Sequence, residues 1–111
     1  MHCDLINFYR VEDLEKTRTF YTKMGLKLYK DQGKCLIFDA GFGKLGFCNH
    51  FPSKVSDQTC ITFVYDSRQA VDEMAKILGG DPPTYNDYFK IYHFFLNDPN
   101  GIKLEFQVFE E

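Results

Sequence analysis

Residues 3–25 read CDLINFYRVEDLEKTRTFYTKMG, and the passage from a β-forming run into a helix that they encode frames the whole chain. Cys3 to Val11 is rich in aromatic and β-forming residues and reads as a strand, which ends where Glu12-Asp13 supplies an acidic helix start. Leu14, Thr17, Tyr21 and Met24 then recur at spacings of three and four along one face, and Gly25 stands where a glycine ends a helix. Leu26 to Tyr29, Cys35 to Phe38 and Lys44 to Cys48 follow as three short strands in hairpin order.

After a polar connection from Asn49 to Gln58 the same order begins again. Thr59 to Tyr65 is a β-rich run, and Asp66 with Gln69 three residues on suggests a capped helix start. Val71, Met74, Ile77 and Leu78 form its apolar face, and Gly79-Gly80 closes it. Tyr85 to Tyr88, Phe89 to Leu96 and Ile102 to Val108 supply three more strands, the last two joined by Asp98-Pro99-Asn100-Gly101, which suits a type I turn. Lys44-Leu45-Gly46-Phe47 and Lys103-Leu104-Glu105-Phe106 are counterparts in the repeat. The expectation is an α+β fold of two βαβββ modules, about 1–50 and 59–111, within a single domain 1–111. Each module carries one helix outside a mixed sheet, and the two sheets together curve into an open cup.

Composition narrows the function classes. With 44% hydrophobic and 26% charged residues the chain has the balance of a globular protein. A net charge of -3 without a basic cluster argues against nucleic acid as a partner. The chain start lacks the pattern of a signal peptide and no apolar run spans a bilayer, so the expectation is a cytoplasmic protein with no membrane partner. Cys3, Cys35, Cys48 and Cys60 form no C-x-x-C pair and read as reduced thiols. Nineteen aromatic residues, 12 Phe and 7 Tyr, must thicken a core or line a cavity.

The segment Val11 to Tyr21 resembles the V-x-D-L-x-x-S-x-x-F-Y passage of the vicinal-oxygen-chelate superfamily, the glyoxalase, bleomycin-resistance and dioxygenase proteins. Asp98-Pro99-Asn100-Gly101-Ile102-Lys103-Leu104-Glu105 is similar to that superfamily's D-P-[DN]-G-x-x-x-E closing hairpin. The resemblance covers nearly the whole chain and implies paired βαβββ modules, often dimeric, many of them binding a divalent metal. Its ligand positions on the first and fourth strands of each module, counted back from Asp13 and Asp66, fall on Ile6, Thr59, Gly46 and Glu105. Only Glu105 is an ordinary hard-metal ligand, so the expectation is no metal and no cofactor, with Glu105 as the ligand of any divalent ion present.

Strand alternation places Asp4, Ile6, Phe8 and Arg10 on the cup face, with Gly46, Cys48 and His50 from the fourth strand and Thr59, Ile61 and Phe63 from the fifth. Lys103, Glu105 and Gln107 share that face from the eighth. Glu105 is the first candidate, as a ligand anchor or a general acid or base; its alternative is an ion pair with Lys103 or Arg10. Cys48 and His50 suggest soft-metal ligands or a thiol with a base, joined by Cys60 if the register of the fifth strand is one off; the alternative is a surface histidine. His93 either points into the cup near Glu105 or is a satisfied core histidine. Phe8, Phe63, Tyr85, Tyr88, Tyr92 and Phe95 either stack on a ligand or pack the core. The expected function is a homodimeric glyoxalase/bleomycin-resistance-like protein that binds a small organic molecule. The alternative is a metal-independent or atypical-metal lyase or isomerase using Glu105.

Overall fold

The computed structural model describes residues 5–50 and 59–110. The expectations for Cys3, Asp4 and most of the central connection lie outside them. The order of elements is β1 (Ile6–Arg10), α1 (Leu14–Met24), β2 (Lys27–Asp31), β3 (Cys35–Asp39), β4 (Lys44–Cys48), β5 (Cys60–Val64), α2 (Arg68–Leu78), β6 (Thr84–Asn86), β7 (Ile91–Asn97) and β8 (Lys103–Phe109). The sheet order is β1-β4-β3-β2 in the first half and β5-β8-β7-β6 in the second. In each, the first strand lies parallel to the fourth and the other pairings are antiparallel. These are two βαβββ modules, and the chain divides into compact units Met1–Val55 and Ser56–Glu111. No helix among the described residues is long and apolar enough to cross a membrane.

Each module buries the sheet face that its helix covers. In the first, Asp13 caps α1 by accepting from Lys16 N at 3.0 Å, and Gly25 takes the left-handed conformation that ends it. Tyr21 is fully buried, stacked on Phe47 at 4.6 Å and tilted against Phe38 at 5.9 Å. In the second, Phe94 stacks on Phe106 at 4.8 Å and Phe63 on the same ring at 5.4 Å, while Val71 and Ala75 are the buried residues of α2. The outer strand β2 is exposed along its length and carries a bulge between Leu28 and Lys30, a common device for blunting a sheet edge.

Three local expectations are corrected. Ser67, not Asp66, caps α2, its hydroxyl accepting from Ala70 N at 3.1 Å. Of the expected apolar face Val71 is buried and Met74 and Leu78 are half-buried, Ala75 is buried beside them, and Ile77 is left exposed. Tyr88 and Phe89 lie in the turn between β6 and β7 and are exposed, because Phe89 N donates to Asn86 Oδ1 instead of joining the ladder. Finally, Cys35 and Cys48 form a disulfide. They are 13 residues apart in sequence, and only the β3–β4 register makes them cross-strand partners. The expected turn at 98–101 forms: Gly101 N donates to Asp98 O at 3.0 Å, and the Asp98 carboxylate accepts from Asn100 N and Ile102 N, each at 2.8 Å.

Candidate functional site

Along β8, Leu104 and Phe106 are fully buried on the α2 side, which by alternation turns Lys103, Glu105 and Gln107 to the other face. Glu105 accepts from Thr62 Oγ1 at 2.9 Å and from Gln107 Nε2 at 3.2 Å through one oxygen, and faces His93 Nδ1 at 2.7 Å through the other. Its carboxylate is therefore engaged on both oxygens by three neighbours. His93 and Glu105 each keep 12% of their side-chain surface, so the pair is nearly enclosed. A proton on Nδ1 directed at the carboxylate fixes the ring and leaves Nε2 as the atom free to accept or deliver a proton. Gln107 Oε1 is buried without a hydrogen-bond partner among the described residues. Buried polar atoms are nearly always paired, so an acceptor in this state is uncommon.

The surroundings are half aromatic. Phe95 lies opposite Glu105 in the ladder, meets the His93 ring edge-on at 5.0 Å, and carries the Lys103 ammonium 4.4 Å above its own ring. Lys103, Glu105 and Gln107 thus share one face, as strand alternation suggested; His93 and Phe95, each open to a core reading, join them there, with Thr62 as a member the sequence did not suggest. Thr59 and Phe63 are corrected. The register pairs Thr62 with Glu105, so Cys60, Thr62 and Val64 share the site face, while Phe63 stacks on Phe106 in the helix-side layer and Thr59 precedes the strand. Tyr85 and Tyr92 also belong to the α2 side, where the Arg68 guanidinium lies 5.7 and 4.3 Å from their rings and Tyr92 donates to Asp72 at 2.5 Å.

The corresponding face of the first module has different contents. Phe8 pairs with Gly46, and its ring lies flat enough on the glycine that an added Cβ would run into Cδ1 and Cε1. Arg10 is in register with Cys48. His50 Nδ1 stands 3.9 Å from Cys35 Sγ, so the cysteine that joins Cys48 and His50 is Cys35, not Cys60. The two faces match position by position: Phe8 and Gly46 stand where Thr62 and Glu105 do, and Cys35 and Cys48 where His93 and Gln107 do. An open groove of about 690 Å³ at the start of α1, walled by polar groups including Glu12, Asp13, Arg18 and Asp31, contains none of these residues.

No protein-family model and no curated protein sequence matches the chain. Solved structures do. A glyoxalase/bleomycin resistance protein/dioxygenase family enzyme from Burkholderia phytofirmans PsJN superposes with a TM-score of 0.85 at 18% identity, covering 97% of this chain and 100% of that one. A glyoxalase/bleomycin resistance protein from Albidiferax ferrireducens T118 gives 0.78 at 19% identity over 95% and 97%, respectively. Lactoylglutathione lyase from Agrobacterium tumefaciens gives 0.74 at 21% over 97% and 94%. The chain has the glyoxalase/bleomycin-resistance/dioxygenase fold.

The divalent-metal centre implied by resemblance to the vicinal-oxygen-chelate proteins can be tested against the donors present. With the β5 register corrected, the first-strand positions become Ile6 and Cys60, and the fourth-strand positions remain Gly46 and Glu105. Ile6 and Gly46 offer no side-chain donor, and the Phe8 ring occupies the space over Gly46. One carboxylate, already holding three neighbours, and one exposed thiol do not make the usual ligand set of the vicinal-oxygen-chelate fold. Thr62 and Cys60 were legible in principle. Counting from the helix-ending glycines Gly25 and Gly79, instead of from Asp13 and Asp66, moves the repeat by one residue and lands on them.

Proposed function

We propose that this is a glyoxalase/bleomycin-resistance-like protein that binds a small organic molecule on the His93–Glu105 face of its second module, without the divalent metal centre usual in the vicinal-oxygen-chelate superfamily. The observation that supports it is the enclosed constellation of His93, Glu105, Thr62 and Gln107, with Phe95 and Lys103 beside it. The ligand that fits carries an apolar or aromatic body for Phe95, with an anionic group suited to Lys103. The partners in this reading are that molecule and a second copy of the chain. The cytoplasm is its location, where Cys35 and Cys48 would be a thiol–disulfide couple rather than a permanent staple.

A second reading is a metal-independent lyase or isomerase, and the His93–Glu105 contact of 2.7 Å favours one version of it. In that version His93 Nε2 moves the proton and Glu105 is a positioning residue, because both carboxylate oxygens are committed to neighbours. A metabolite screen by melting temperature finds the ligand, since binding to the native state raises stability. Calorimetry with Glu105→Gln is then expected to show binding weakened by about 1 to 3 kcal/mol, the usual cost of losing a charged hydrogen bond. Unchanged affinity beside a large loss of stability would make Glu105 structural. One stoichiometric divalent metal per purified chain that disappears in Glu105→Gln would overturn the metal-free reading. A chemical change in the bound molecule that ceases in His93→Gln would select the enzyme.

A further inference from the structure

We infer that the reduced form of the first module holds a thiophilic divalent cation, zinc being the natural occupant, between Cys35, Cys48 and His50, and that oxidation to the disulfide releases it. The side-chain donors of these three residues lie within 4.8 Å of one another. None of them stands at a first-strand or fourth-strand position where the resemblance puts a metal ligand, so this is a separate site.

The backbone sets the geometry. Cys35 and Cys48 are directly opposed across β3 and β4, with Cα atoms 4.1 Å apart. His50 follows Cys48 by two residues, in the bend just past β4, where its ring lies beside Cys35. The frame is tied on each flank: Gln32 N donates to Cys35 O at 2.8 Å, Asn49 N to Lys34 O at 3.0 Å, and Val11 N to Cys48 O at 2.9 Å. With Zn–S near 2.3 Å and Zn–N near 2.1 Å, the 3.9 Å between Cys35 Sγ and His50 Nδ1 corresponds to an angle at the ion of roughly 125°, close to tetrahedral. Once reduced, the two sulfurs need to separate only to about 3.8 Å to share a tetrahedral ion, which is within reach of side-chain rotation. Two thiolates balance the dication's charge, and sulfur with imidazole nitrogen selects zinc over magnesium or calcium. Cys48 is buried while His50 is exposed, which anchors the site on one side and leaves it open to water on the other as fourth ligand.

Release follows from the chemistry of the pair. Attack by a hydroperoxide oxidises the two thiolates by one electron each. Both S–Zn bonds break, one S–S bond forms, and the peroxide O–O bond is cleaved. With hydrogen peroxide, two protons are taken up and two waters leave, while Zn²⁺ departs hydrated from His50. The disulfide seen here is the metal-free end of that cycle.

The test uses the full chain reduced with a phosphine and titrated with Co²⁺ and then Zn²⁺. One equivalent of Co²⁺ with a thiolate-to-cobalt charge-transfer band, displaced by Zn²⁺, is expected. Hydrogen peroxide should abolish the band with loss of two thiols per chain. Cys48→Ser should lose the band, and Cys60→Ser should keep it. His50→Ala, at an exposed position that leaves the fold intact, should bind at least about tenfold more weakly, since loss of even an outer-shell partner costs that much. Absence of a charge-transfer band in the reduced wild-type chain would sink the proposal. So would a band that survives Cys48→Ser, one lost in Cys60→Ser, or Co²⁺ affinity unaltered by His50→Ala.

Discussion

At the scale of single residues, the repeat places Gly46 and Glu105 at the same point of their modules and gives them opposite surroundings. Over Gly46 lies an apolar ring; around Glu105 lie three polar partners. Gly46→Ala forces the half-exposed Phe8 ring aside and is expected to cost about 1 to 3 kcal/mol, as overpacking does. In a Phe8→Ala background most of that cost should vanish. A double-mutant cycle in urea reads the coupling, and additive effects would show that Phe8 is not what fills the site. Tyr65 yields a pH prediction. Burial pushes its phenol from 10.0 up to about 12, and its ring lies 6.5 Å from Phe106. Between those values the unfolded chain has lost its proton and the native chain keeps it, so stability is full below about pH 10 and falls as pH rises toward about 12. Urea midpoints compared at about pH 9 and about pH 11 should show the fall, and Tyr65→Phe should reduce it.

At the scale of elements, α2 shows how a one-residue error spreads. Both Asp66 and Ser67 are good capping residues in a sequence, and the choice depends on which side chain reaches a free amide in three dimensions. Ser67→Ala should therefore cost about 1 kcal/mol in urea unfolding, with Asp66→Ala costing clearly less; the reverse order would contradict the cap assignment. The same shift inverts the face assignment of β5, because side chains alternate every residue. That is why Thr59 and Phe63 were expected on the site face and Cys60 and Thr62 occupy it. The fourth and eighth strands were readable without such loss, since Lys44-Leu45-Gly46-Phe47 and Lys103-Leu104-Glu105-Phe106 repeat in phase and place Glu105 and Gln107 correctly. His93 was open to two readings because the apolar run Phe89 to Leu96 carries no alternation; only pairing with Gln107 in the ladder turns it toward Glu105.

At the scale of the whole molecule, each sheet ends in a pair of outer strands, β1 and β2 in one, β5 and β6 in the other. The edge of β2 is blunted by Lys27, Lys30, Asp31 and a bulge. Among the described residues β1 and β5 carry no bulge, and Phe8 and Val64 on them are more than half exposed, at 53% and 56%. We expect a homodimer that covers these strands, as apolar edges left open invite pairing with another chain. Light scattering at micromolar concentration should return twice the chain mass, and a monomer mass would refute the expectation.

The sequence by itself determined the repeating order of strands and helices, the start of α1 at Glu12-Asp13 and its end at Gly25, the turn at Asp98 and the placing of Glu105 and Gln107 on one side of a strand. Each follows from local spacing, periodicity or turn chemistry, which need no distant partner. The tertiary structure alone decided that His93 and Thr62 meet Glu105 and that Cys35 meets Cys48. Those contacts join residues on different strands, and their existence depends on sheet register, which packing and hydrogen bonding across the ladder select and which no single segment encodes.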